Sequence, residues 1–237
     1  MLSIFKKELR SYVYSPIPYV LIGLFLLITS ITFNSFYSQM QTTLDENAIN
    51  QTLGFGNTVM VFLTPILTMK LLAEERKNKV DALLLSSPVS ITSIVIAKYL
   101  AAVVMFLALT ASTLIYPIIV ISLSKVASVE MLGGYLGFIL VGASYIAFGL
   151  FASSLTESQV VAGIISLVGL LLMLLMNAIQ PIVGDFWYGI FKWFSLLDKY
   201  AAYQSGKFII TPIIYYLSFI SLFVVLTIRV IEKRRWS

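Results

Sequence analysis

Apolar residues dominate this chain, in runs of about twenty, the length an α-helix needs to cross a hydrocarbon core of about 30 Å. Six such runs are read, at 17–36, 55–72, 93–122, 131–152, 160–180 and 212–230. The third is long enough to tilt or to bend at Pro117. Between them lie short polar loops. The pattern predicts an all-α integral membrane protein whose residues 1–237 form one transmembrane domain.

Three stretches break the pattern. Residues 1–15, MLSIFKKELRSYVYS, place Leu2, Phe5, Leu9 and Tyr12 at three- and four-residue spacing, with Lys6, Lys7 and Arg10 on the other side. That spacing predicts an interfacial amphipathic helix lying along the membrane surface, stopped by Pro16 and Pro18. Its long leading segment and the lack of a small-residue cleavage site do not fit a signal peptide. Residues 73–90, AEERKNKVDALLLSSPVS, predict a short surface helix: Val80, Leu83 and Leu84 share one face, while Lys77, Asn78 and Asp81 point elsewhere. Glu75 and Lys79 are spaced for an i,i+4 ion pair, and Ser87 with Pro88 suits the start of the third span. On the residues alone this segment reads equally as a solvated loop or as a lever held between two spans. The third stretch, 181–211, mixes aromatics with Pro181, Gly184 and Gly189.

Composition agrees with the pattern. Of the 237 residues 59% are apolar and 11% charged, against about 25% charged in a soluble domain. The chain has neither Cys nor His, which removes disulfides, thiolate chemistry, histidine metal sites and a His-based triad. The net charge of +5 sorts by topology. With the N-terminus inside, twelve basic residues lie on the inner side: Lys6, Lys7, Arg10, Lys70, Arg76, Lys77, Lys79, Lys98, Arg229, Lys233, Arg234 and Arg235. Four, Lys125, Lys192, Lys199 and Lys207, lie outside. This positive-inside bias predicts a multi-pass protein of the cytoplasmic membrane with both termini cytoplasmic. No basic patch sits on a soluble module, which argues against nucleic acid.

The spans lack the ionisable groups at mid-depth that proton relays, ion-coupled transporters and voltage sensors use. Lys98 lies near one end of its span, within snorkelling reach of the inner interface. Asn34, Tyr99, Ser144, Tyr145 and Asn177 are expected to make interhelical hydrogen bonds. Ser205-Gly206-Lys207 lacks the earlier glycine of a phosphate-binding loop, since position 201 is Ala. No power source is visible in the chain, so either it is passive or its energy comes from another protein. Gly133 and Gly137 form a GxxxG pair; with Gly142, and with Gly163 on the next span, they predict close helix packing. In SSLTESQVV, Thr156 and Gln159 are spaced for a capping box, with Glu157 in the first turn of the fifth span.

Glu74-Glu75, Leu83-Leu84-Leu85 and Pro88 before a span resemble the coupling helix of type-2 ABC exporter permeases. FKKELRSYVYSPIPYV, LTMKLLAEERK, SSLTESQVVAG and KYAAYQSGKFIITPIIYYLSFISLFVVLTIRVIEKRRW are similar to the gliding-motility-type (GldF-like) branch, in the same order. Asn78-Lys79 departs from the Gly-Thr often found in that family's coupling helix. The resemblance implies a permease subunit that is not itself an enzyme. A separate ABC ATP-binding subunit would bind ATP and Mg, this chain carrying no cofactor. It also implies a second permease subunit, in a homodimer or heterodimer, with membrane lipid around the pair. An auxiliary protein with an extracytoplasmic domain is a further possible partner. The implied ATPase-coupling residues are Glu74, Glu75, Arg76, Val80, Leu83, Leu84, Leu85, Pro88 and Glu157; Phe5, Lys6, Lys7, Leu9 and Arg10 would form the interfacial helix. Residues 181–211 would form re-entrant helices at an outer gate. The alternative function is a membrane anchor through which an ATPase transmits mechanical work to an envelope protein, moving no solute.

Overall fold

The computed structural model describes residues 1–43, 48–78, 90–124, 129–176, 195–204 and 210–235. All its regular elements there are helices: α1 (Leu2–Tyr14), α2 (Pro16–Thr43), α3 (Ala48–Thr68), α4 (Lys70–Lys77), α5 (Ile91–Ser112), α6 (Ile115–Ser124), α7 (Val129–Leu155), α8 (Gln159–Leu175), α9 (Leu196–Gln204) and α10 (Ile210–Arg235). Five stretches are long and apolar enough to cross a membrane: Pro16–Ser38, Ala48–Lys77, Ile91–Ser122, Met131–Leu155 and Ile210–Arg234. The expected fifth span appears as α8, apolar but only 17 residues long among the described residues. The outside of the bundle carries exposed Leu27, Ile118, Leu172 and Ile214, as lipid-facing helices do.

α7 is the centre. Its most apolar stretch is 72% buried, against 50% or less in the other four. Phe138 of α7 stacks between Phe25 of α2 and Phe106 of α5, with ring centroids 6.0 and 5.5 Å away. The glycines of α7 make room for side chains rather than for another backbone. A Cβ on Gly142 would collide with the Phe106 ring, and one on Gly137 would come within 2.9 Å of Tyr203 in α9. Gly134 is as tightly placed, facing Asn50. Gly133 is buried, and Gly137 and Gly142 each leave room for an aromatic ring. Gly163 has only ordinary contact, 3.6 Å to Met69 Sδ.

Two helix breaks have chemical causes. Pro117 lacks the N–H that would bond the Thr113 carbonyl, and its ring crowds that carbonyl. The third span therefore divides at Thr113–Leu114, earlier than the proline itself. The Thr113 carbonyl accepts instead from Tyr116 N–H at 3.1 Å and from Tyr135 Oη at 2.9 Å. The second break, at Met69, comes from outside the helix. Ser153 of α7 accepts from the backbone N–H groups of Leu72 and Ala73, both at 3.1 Å, and donates to the Met69 carbonyl at 3.1 Å. It is inserted where Ala73 N–H would meet Met69 O, so α4 leaves α3 at a kink.

Of the expected interhelical bonds, Tyr99 Oη donates to the Ala143 carbonyl at 3.2 Å. Ser144 instead bonds back to Leu140 in its own helix, Asn34 is exposed, and Asn177 lies outside the described residues. Two predicted caps are also corrected. The third span begins at Ile91, with extended Ser90 as its cap: Ser90 Oγ accepts from Ser93 N–H at 3.3 Å. Ser87 and Pro88 lie outside the described residues. The α8 helix begins at Gln159 behind Ser158, so Thr156 is too early for the capping box and Glu157 precedes the first turn. Thr156 Oγ1 accepts from Ser158 N–H at 3.2 Å, closing a local turn instead.

Because a Cβ on Gly142 would overlap the buried Phe106 ring, Gly142→Ala is expected to lower stability by about 1–3 kcal/mol, while Gly163→Ala stays within about 0.5 kcal/mol. Melting of the two purified variants in the same detergent checks this.

Candidate functional site

One end of the bundle gathers nearly all the charge chemistry. α1 lies across this end with Phe5, Leu9 and Tyr12 half-buried and Lys6, Lys7 and Arg10 exposed, as the spacing predicts, while Leu2, expected on the same apolar face, is exposed. Burial pushes the Tyr12 hydroxyl pKa well above the usual phenol range, and the negative charge of Glu8 adds to this. The hydroxyl therefore remains a donor, and it bonds the Leu67 carbonyl at 3.0 Å, near the end of α3.

Beneath α1 is a buried ionic cluster. Lys98 of α5 is 1% exposed. Its ammonium has three donors, and three oxygens meet it: Leu71 O at 2.7 Å, Glu8 Oε1 at 2.9 Å and Glu75 Oε2 at 2.9 Å. Lys7 reaches the other Glu75 oxygen at 3.4 Å. Two cations thus face two carboxylates and the cluster is neutral. The charges come from three helices, so α1, α4 and α5 are fastened at one point.

A second ion pair extends this fastening. Arg76 Nη2 of α4 lies 2.7 Å from Glu157 Oε1, in the turn between α7 and α8. Arg234, near the end of α10, bonds the carbonyl of Ser154 in the last turn of α7, just before that turn. Helix α1 and the end of α10 therefore lie at the same end of the bundle, as the charge sorting predicts. Glu157 is 62% exposed, so its pair adds little stability, about 0–1 kcal/mol. Its geometric effect is larger, since it ties α4 to the turn.

Of the residues singled out in the sequence, Glu75, Arg76 and Glu157 enter this network, and Lys7 joins its edge. Glu74 lines the neighbouring cleft instead. Lys79, Val80, Leu83, Leu84, Leu85 and Pro88 lie outside the described residues. Glu75 is engaged by Lys98 and Lys7, partners distant in sequence; its i,i+4 neighbour Lys79 lies outside the described residues. Glu8 and Ser153 were missed. A signal for Glu8 existed: a lysine inside an apolar span needs a counter-ion, and few acids are available at that end of the chain. Ser153 carried no comparable signal.

The sequence profile of the family described as ABC-2 family transporter protein matches residues 2–234. The chain belongs to this family. No curated protein matches it. As an ABC-2 family member with several apolar spanning helices, it is a multi-pass membrane protein of the permease kind, and the family implies an ABC ATP-binding partner. In this ABC-2 protein the charged end is thus the place where the N-terminal helix, the α4 kink and the α7–α8 turn meet.

Removing Lys98 leaves Glu8 and Glu75 facing each other with little water. Lys98→Met is expected to destabilise the protein by about 3–5 kcal/mol, and Glu8→Gln by less, because Glu75 still neutralises the ammonium. Ser153→Ala strands the Met69 and Ala73 backbone groups and is expected to lower stability by about 1–3 kcal/mol. Thermal melting of these variants against wild type reads all three.

Proposed function

We propose that this chain is the membrane-spanning permease subunit of an ATP-driven exporter of the type-2, gliding-motility-like branch, working with a separate ATPase subunit at its cytoplasmic face. The observation that carries the reading is the double fastening of α4, to α1 and α5 through Glu75–Lys98–Glu8 and to the α7–α8 turn through Arg76–Glu157. Segment 79–89 follows α4 directly in the chain. A partner that pushes on that segment acts on α4, and the two fastenings carry the displacement to α1, α5 and the turn together. A neutral, fully bonded cluster suits this work, because it holds its geometry without a net charge to solvate.

In this reading six spans cross the cytoplasmic membrane, α8 with the residues after it being the fifth, and both termini are cytoplasmic. Two permease subunits pair above two ATPase subunits, which hold the ATP and Mg. Residues 181–211 form the outer gate. Glu74, Glu75, Arg76, Val80, Leu83, Leu84, Leu85, Pro88 and Glu157 form the coupling surface. The chain has no catalytic residue of its own in this scheme, and its motion opens a path outward or laterally into lipid.

The decisive experiment is a pull-down of C-terminally tagged chain in mild detergent. A stoichiometric ATP-binding protein is expected with wild type and is expected to be lost with Leu84→Asp, membrane insertion being unchanged. Wild type without an ATPase, or normal assembly and turnover in the variant, overturns the reading. The Arg76–Glu157 pair has its own signature. Arg76→Glu is expected to lower substrate-stimulated ATPase turnover about tenfold or less, given the small energy of an exposed pair, and the double reversal Arg76→Glu/Glu157→Arg is expected to restore it.

A further inference from the structure

Beside the ionic cluster is an open cleft of about 310 Å³ between α1, the start of α2 and the α3–α4 kink. Its charges are not all alike. Lys7, Lys98, Glu8 and Glu75 neutralise one another. Lys70 and Glu74, on the same wall, have no opposite charge within 4 Å among the described residues. They stand four residues apart on α4, which puts their side chains on one face and about 5–6 Å apart at Cβ. The facing wall offers the hydroxyls of Ser11 and Ser15, and the floor is apolar, with Pro18 and Ile66.

The cleft lies where helices long enough to span a membrane end, which is headgroup depth. Ile66 is 38% exposed, and exposed Tyr19 and Val20 follow Pro18 along α2. A polar cleft with a carboxylate and an ammonium that make no ion pair within 4 Å among the described residues, beside an apolar surface, matches an amphiphile of a particular class.

We propose that this cleft binds the headgroup of a zwitterionic aminophospholipid, one carrying phosphoethanolamine. Lys70 receives the phosphate, with the Ser11 and Ser15 hydroxyls as further donors. Glu74 receives the primary ammonium, which sits two carbons away from the phosphate ester. The acyl chains run down past Ile66 and the exposed start of α2. An anionic headgroup without an amine meets Glu74 as a like charge. A quaternary headgroup has no N–H to donate to Glu74. The site goes beyond the permease reading, shares Glu74 with the proposed coupling surface, and is tested without an ATPase partner: a lipid here fills the space between α1 and α4 and braces the cluster from its open side.

The test uses the full chain in detergent, with native mass spectrometry after adding equimolar dioleoyl phosphatidylethanolamine, phosphatidylcholine and phosphatidylglycerol. Wild type is expected to retain phosphatidylethanolamine about tenfold over each of the others, the effect of one charge-assisted hydrogen bond. Glu74→Gln is expected to abolish the preference over phosphatidylcholine, and Lys70→Gln to lower retention of all three. Equal retention of the three lipids by wild type overturns the proposal even if both variants fail to fold. So does an intact preference in well-folded Glu74→Gln. Soluble glycerophosphoethanolamine distinguishes the source: the lipid is expected to survive an equal concentration of it, and displacement would reassign the cleft to a water-soluble phosphoamine.

Discussion

A lysine ammonium with almost no access to water constrains this end of the molecule. Three oxygens meet Lys98 there, from Glu8, Glu75 and the Leu71 carbonyl. Removing a single charge from water carries an effective penalty of several kcal/mol, so the partners must arrive together and with good geometry. That requirement dictates where α1 lies, which face it turns inward and how far α4 can rotate. The half-buried Phe5, Leu9 and Tyr12 hold α1 against the bundle by apolar contact, which is not directional. The Lys98 contacts, at 2.7–2.9 Å, and the Tyr12 bond to the Leu67 carbonyl are directional and fix its position.

The kink at Met69 serves the same constraint. A continuous helix from α3 through residue 77 would take the α4 side chains along the α3 axis. Ser153 redirects α4 by occupying the Met69–Ala73 position of the ladder while leaving neither backbone group unbonded. The same helix, α7, supplies the aromatic slots of the core and leads, past the Ser154 carbonyl, into the turn that holds Glu157. One central helix thus sets both the packing of the spans and the geometry of their charged end. An ABC-2 family protein needs such a rigid connection if work done on one surface is to reach several spans at once.

Much of this architecture was legible in the residues. The long apolar runs, the amphipathic α1 and the collection of basic residues at one end follow from local spacing and from the expense of charge in hydrocarbon. The Pro117 break was legible as well, since a proline acts on its own helix. Capping was read less well. Thr156–Gln159 and Ser87–Pro88 satisfied the spacing rules, yet Ser158 and Ser90 stand at the helix starts, because the first helical residue depends on where the packed bundle lets the chain turn.

By itself the sequence determined the all-helical membrane class, the amphipathic faces and the sidedness of charge, each of which rests on periodicity and solvation along one element. It also marked Lys98 as the ionisable group inside an apolar run. Tertiary structure alone decided that its partners are Glu8 and Glu75, that Ser153 kinks a helix eighty residues away in sequence, and that Gly137 and Gly142 receive aromatic rings. The physical reason is common to all three. Partner choice across a bundle depends on the rotation and depth of each helix, and these are set jointly by every contact in the core, where no local spacing rule reaches.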